Sequence, residues 1–272
     1  MRMLVGLVRL VHPAPTLAVV FLSAALGTIL MAQTQQPLDF RLALTVLAVL
    51  GSQILTGALN DWTDRSRDTL AQPSKPIPSG AVSPPMALAM AGAGLALQIG
   101  GSLPLGLAPM TLGLAASASA ISYNLWLSRT PASVMPYLVS FGLLPLWVAA
   151  GVGVPLDRVA LSPILVGPFA AAAHLANTLR DFDADATLGS RNLAQVLGRR
   201  IAFRVGWSLA MGVGLAVGFA LSLGGTLEPP GVLLGVVGLA AVTQGISGPH
   251  RLWMGMLVAA VCWTAAWALA TG

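Results

Sequence analysis

The stretch Leu42-Ala-Leu-Thr-Val-Leu-Ala-Val-Leu-Gly-Ser-Gln-Ile-Leu-Thr-Gly-Ala-Leu59 carries no charge and runs directly into Asn60-Asp-Trp-Thr-Asp64-Arg-Ser-Arg-Asp68. An uninterrupted apolar run of this length suits the hydrocarbon core of a bilayer, which takes roughly 20 residues of α-helix to cross. The sudden polar segment marks where the chain leaves that core. Whatever the acidic residues do, they do it at a membrane surface.

Working outward, about nine comparable stretches follow one another, centred near Ala25, Ala48, Gly92, Ala115, Leu144, Val166, Met211, Val237 and Ala260. Only 8% of the residues are charged and 56% are hydrophobic, whereas a soluble domain carries about a quarter charged residues. Most of the surface therefore faces something other than water. Backbone polar groups in lipid must pair within their own segment, so the stretches read as helices. The many Gly and Ala residues argue for closely packed helices and against a transmembrane barrel. The expected fold is all-α, a single polytopic domain over 1–272 with about nine transmembrane helices. The first span lacks a convincing processing site and is expected to remain in the protein. Cys262, the one cysteine, lies in the last span and reads as packing.

Taken in order, the spans place the loops on alternating sides. Twelve basic residues (Arg2, Arg9, Arg65, Arg67, Lys75, Arg129, Arg180, Arg191, Arg199, Arg200, Arg204, Arg251) collect on one side, and only Arg41 and Arg158 on the other. The positive-inside rule puts the first group, with the amino terminus, in the cytoplasm and the carboxyl terminus outside. The net charge of +5 is thus spread along membrane edges instead of forming one soluble basic face, which excludes a nucleic-acid partner.

Six of the nine acids fall in two of the cytoplasmic segments. The second is Asn177-Thr-Leu-Arg-Asp181-Phe-Asp-Ala-Asp185; superposed on the first, both read Asn-x-x-x-Asp-x-x-x-Asp, a pseudo-repeat confined to the motifs. A spacing of four returns a side chain to nearly the same helix face, so each motif is expected to present an Asn and two carboxylates as a stripe. Clustered carboxylates repel unless a cation lies between them. Oxygen-only donors suit Mg²⁺, which accepts a few carboxylates and completes its shell with water and substrate phosphate. The candidate metal ligands are Asn60, Asp61, Asp64, Asp68, Asn177, Asp181 and Asp185. Arg67 lies within the first motif and basic stretches follow both, so Arg67, Lys75, Arg199 and Arg200 are the candidate partners of a diphosphate.

Asn60-Asp61-x-x-Asp64-x-x-x-Asp68 with Lys75-Pro-Ile-Pro-Ser-Gly80 resembles the first signature of the UbiA superfamily of intramembrane prenyltransferases. Arg180-Asp181-x-Asp183-x-Asp185 with Gly189-x-Arg191-x-Leu193 resembles its second. The resemblance implies a helical bundle around a central cavity, capped by the cytoplasmic loops. It implies an isoprenoid diphosphate bound through Mg²⁺ by both motifs, with Asp61, Asp64, Asp181 and Asp185 at the reaction. The prenyl chain would lie in an apolar tunnel, and the allylic cation would pass to a small, commonly aromatic acceptor. Many members place a Tyr before the fifth span with a Lys four residues on. Here Tyr123 is followed by Leu127 at that position, and Arg129 is the candidate replacement cation. Tyr123 either touches the diphosphate or cation or serves as an interfacial anchor. Gln53, Asn124 and His174 are candidate cavity residues, since polar groups within spans are costly. The rival activity is a terpene cyclase, which ionises the same diphosphate without an acceptor. Donor length, acceptor identity and oligomeric state are not legible in apolar spans.

Overall fold

The computed structural model describes residues 1–223 and 228–271, in which helices and short 3₁₀ turns are the only regular elements. Among the described residues, eight helical segments are long and apolar enough to cross a membrane, against the nine or so expected from the sequence. The difference lies at 107–125. That segment is a 19-residue helix, but Ser117, Ser119, Ser122, Tyr123 and Asn124 dilute its apolar character.

The described residues fall into two compact units, 1–128 with 143–160, and 129–142 with 161–272. The first contains α1 (Arg2–Leu10), α2 (Pro13–Gln33), α3 (Phe40–Ala71), α4 (Pro84–Ser102) and α5 (Leu107–Leu125). Helix α6 (Met135–Val152) contributes its later turns to the first unit and its earlier turns to the second.

In the first unit α3 is the central element. Asp39 caps it by accepting a hydrogen bond from the Arg41 amide at 2.8 Å, which satisfies one of the amides left open at a helix start. Thr45, Ala48, Ser52, Leu55 and Ala58 are buried along it at intervals of three and four, one helical stripe. Against this stripe α4 comes to backbone contact: a methyl group on Gly94 would meet the Leu55 nitrogen at 2.5 Å and the Gly51 carbonyl at 2.7 Å. Only glycine allows that approach. At the other end of α3, Arg41 donates to the carbonyls of Gly151 (3.1 Å) and Leu105 (3.4 Å). Its charge thus lies against the carbonyl end of α6, where the helix dipole favours a cation.

The second unit contains α7 (Ser162–Arg180), the short α8 (Phe182–Thr187) and α9 (Leu193–Leu197), α10 (Arg199–Leu223), α11 (Pro229–Gln244) and α12 (Pro249–Thr271). Its core forms around Trp263 of α12, which occupies notches left by Gly214 of α10 and Gly238 of α11 and donates to the Gly235 carbonyl at 3.3 Å. Cys262 is buried in the same cluster, as packing requires.

Candidate active site

The first acidic motif occupies the last three turns of α3, one continuous helix, and its carboxylates face two ways. Asp61 and Asp68 are seven residues apart on the inner face and almost fully buried, with Lys75 between them: its Nζ lies 3.1 Å from Asp61 Oδ1 and 2.8 Å from Asp68 Oδ2. Burial alone would lower the Lys75 pKa. The hydrogen bond to Asp68 and the charges of both carboxylates outweigh it and hold the ammonium above its ordinary value. His12 Nε2 also lies 3.1 Å from Asp61 Oδ1. That histidine joins α1 to α2 in a left-handed backbone conformation, φ 52°. A cleft of about 280 Å³ opens beside this group, lined by Arg9, His12, Asp61 and Lys75 with prolines around them.

Asn60 and Asp64 face the neighbouring side of α3. Asn60 Nδ2 donates to Asp64 Oδ2 and to Asn124 Oδ1, each at 3.4 Å, and Asn124 in turn donates to the Thr56 carbonyl at 2.8 Å. The Asn124 expectation thus acquires a geometry: from the end of α5 it positions the head of the motif. Arg65 is turned away onto Trp62, 4.6 Å above the ring. Arg67, Tyr123 and Gln53 are half-buried within the same unit.

In the second unit the motif is not one stripe. Helix α7 ends at Arg180, Asp181 links it to α8, and Asp183 and Asp185 lie on that short helix. Acids in the first turn of α8 suit its positive dipole end, so the chain turns where a continuous helix was expected. Asn177 and Asp181 are exposed; Asn177 Oδ1 accepts from Arg180 at 3.4 Å. Asp185 Oδ2 accepts from Asn192 Nδ2 at 2.9 Å. Arg199 pairs with Asp183 at 2.6 Å, both exposed, and Arg200 is exposed. The Arg129 carbonyl accepts from the Arg191 amide at 3.1 Å, which ties the loop before α6 to the loop before α9. His174 is buried and stacks on Tyr137, ring centroids 4.3 Å apart.

Three contributors escaped the sequence reading. Asn192 was legible: its Oδ1 caps α9 by accepting from the Gln195 amide at 3.0 Å, an Asn-x-x-Gln start signal. His12 carried no such signal, because it meets Asp61 across 49 residues of sequence. Tyr137 reads from sequence as another aromatic residue at a span end.

Among the described residues no three histidine, cysteine or carboxylate groups converge as a metal cage. The donor set nonetheless fits Mg²⁺. Asp61 and Asp68 share the Lys75 ammonium, and Asn60 and Asp64 stand beside them, an all-oxygen donor set. Mg²⁺ is commonly held by one or two carboxylates plus water and phosphate oxygens, without an all-protein cage.

The model of the UbiA prenyltransferase family matches residues 20–246. The chain belongs to that family. Among its relatives, the digeranylgeranylglyceryl phosphate synthase of Natronomonas pharaonis is 29% identical over 201 residues, 72% of this chain and 70% of the relative. The enzyme of the same name from Methanothrix thermoacetophila is 30% identical over 167 residues, 58% of this chain and 60% of the relative. A UbiA homologue from Archaeoglobus fulgidus, solved with DMAPP and Mg²⁺, superposes with a TM-score of 0.74 at 15% identity, over 97% of this chain and 98% of that one. A structure of a digeranylgeranylglyceryl phosphate synthase gives 0.75 at 14% identity, over 100% and 98%. At such identities the superpositions show the fold. This UbiA protein is therefore an integral, multi-pass membrane protein and an intramembrane prenyltransferase.

Proposed function

We propose that this UbiA protein transfers the prenyl group of an isoprenoid diphosphate, held with Mg²⁺ by both acidic motifs, to the hydroxyl of a glyceryl phosphate. The observation that carries the reading is the arrangement at the end of α3. Two buried carboxylates share Lys75, and Asn60 with Asp64 stands one face away. Asn60, Asp61, Asp64 and Asp68 on α3, and Asn177, Asp181 and Asp185 in the second unit, would hold the metal. When bound, the ion neutralises charge growing on the departing diphosphate. Lys75, Arg67, Arg129, Arg199 and Arg200 are the side chains we assign to the remaining phosphate oxygens. Their hydrogen bonds strengthen as the prenyl–oxygen bond breaks, which is when they accelerate the reaction. The apolar spans keep water from the allylic cation. His174 and Tyr137 are candidates to face it with their rings.

The relatives' names favour a glyceryl phosphate over an aromatic ring as acceptor. The rich loops and the amino terminus are proposed to be cytoplasmic, where soluble diphosphates and Mg²⁺ are available. The test uses purified protein, geranylgeranyl diphosphate and Mg²⁺, with and without geranylgeranylglyceryl phosphate. The expected result is an ether product that forms only with the acceptor. Release of a prenyl hydrocarbon in its absence would establish the cyclase instead.

A further inference from the structure

Helix α1 is nine residues long, and its arginines are placed by its period. Val5 and Gly6 follow Arg2 by three and four residues, Arg9 follows them by four and three, and all four share one face. Gly6, the buried residue of that face, lies against the loop after α3, where a methyl on it would meet Val82 Cγ2 at 2.8 Å, and the exposed Arg2 donates through Nη2 to the Ser79 carbonyl at 3.1 Å. Along the seam lies a cleft of about 270 Å³ lined by Arg2, Val5, Gly6, Arg9, Ser74 and Ser79, with no acidic residue on its wall. Arg2 donates to the Ser79 carbonyl and the Ser79 hydroxyl to the Pro76 carbonyl, so the wall is mostly apolar, with the two arginines on it as the cations that suit a phosphate oxyanion. Helix α1 also exposes Met3, Leu4, Val5 and Val8. An amphipathic helix with arginines at both ends, immediately before a membrane span, suits the bilayer interface. The cleft therefore lies where lipid phosphates are found. Arg9 also lines the neighbouring cleft that contains Asp61, His12 and Lys75.

We infer that the Arg2–Arg9 cleft binds the phosphate of a lipid-borne phosphate ester. Resting on the function proposed above, its occupant is the acceptor: Arg9 holds the phosphate end while the hydroxyl end reaches toward the first acidic motif. The same chemistry is offered by a bilayer phospholipid, and the experiment separates the two.

Equilibrium binding is measured on detergent-solubilised protein with dioctanoyl phosphatidic acid, dioctanoylglycerol and inorganic phosphate as probes. Phosphatidic acid is expected to bind at least ten-fold more tightly than either of the others. Arg9→Gln is expected to weaken it about ten-fold, the worth of one charge-assisted hydrogen bond, and Arg2→Gln with Arg9→Gln to weaken it further. Affinity for geranylgeranyl diphosphate is expected to change less than two-fold, which shows that the variants fold. Unchanged phosphatidic acid affinity in the double variant would overturn the site, and equal affinity for inorganic phosphate would overturn its lipid character. In turnover assays Arg9→Gln is expected to raise KM for geranylgeranylglyceryl phosphate without raising the donor KM. If acceptor KM stays constant while phosphatidic acid binding is lost, the occupant is a membrane headgroup and the acceptor assignment fails. Absence of all turnover in the wild type would remove the proposed function, and the binding measurement would still decide the cleft.

Discussion

Lys75 is where the fold and the proposed site meet. Its side chain is 17% exposed and lies between two carboxylates that are nearly inaccessible. Removing one partner of a buried ion pair leaves an uncompensated charge and costs about 3–5 kcal/mol. Lys75→Met is therefore expected to lower stability by about 3 kcal/mol, read as a fall in Tm, with Lys75→Arg recovering most of it. A Lys75→Met protein as stable as wild type would show that the pairing adds nothing to the fold. The sequence made Lys75 legible as a cation beside an acidic motif. It did not reveal that the side chain is engaged by Asp61 and Asp68, because Pro76, Pro78 and the positive-φ Gly80 set the return of that loop. His12 was hidden for the same reason, since contacts between residues far apart in sequence leave no local pattern.

At the scale of elements, apolar runs located the helices well, because lipid and backbone hydrogen bonding permit little else. The segment 107–125 was the exception in kind: it is helical as expected, but Ser117 joins a polar seam instead of an apolar face. Ser117 Oγ lies 2.8 Å from Ser52 Oγ and donates to Gln98 Oε1 at 2.9 Å, tying α5 to α3 and α4. Repeat symmetry misled the reading of the second motif, for equal spacing in sequence does not require a continuous helix. The contact between α3 and α4 gives a direct packing prediction. Gly94→Val would force its side chain against the Leu55 nitrogen, and overpacking of this kind costs about 1–3 kcal/mol. Gly92 has open space at the same position and is the matched control. Gly94→Val is expected to melt clearly below wild type and Gly92→Ala near it; equal melting of all three would mean that the backbones are not in contact.

At the scale of the molecule, membrane class and family were legible because charge is scarce and the acidic signatures are specific in combination. The site itself was legible only as residue types, which the structure resolves into two groups, one in each unit. The central proposal is that Mg²⁺-dependent prenyl transfer needs the acidic residues of each motif. The most direct measurement is the Mg²⁺ dependence of prenyl transfer by wild type, Asp64→Ala and Asp181→Ala, each checked for an unchanged Tm. Each variant is expected to lose at least about 100-fold in turnover, the scale of losing preorganised stabilisation of a leaving group, and wild-type activity is expected to vanish in excess EDTA. Full turnover by a well-folded Asp181→Ala protein, or undiminished wild-type activity in EDTA, would contradict the account.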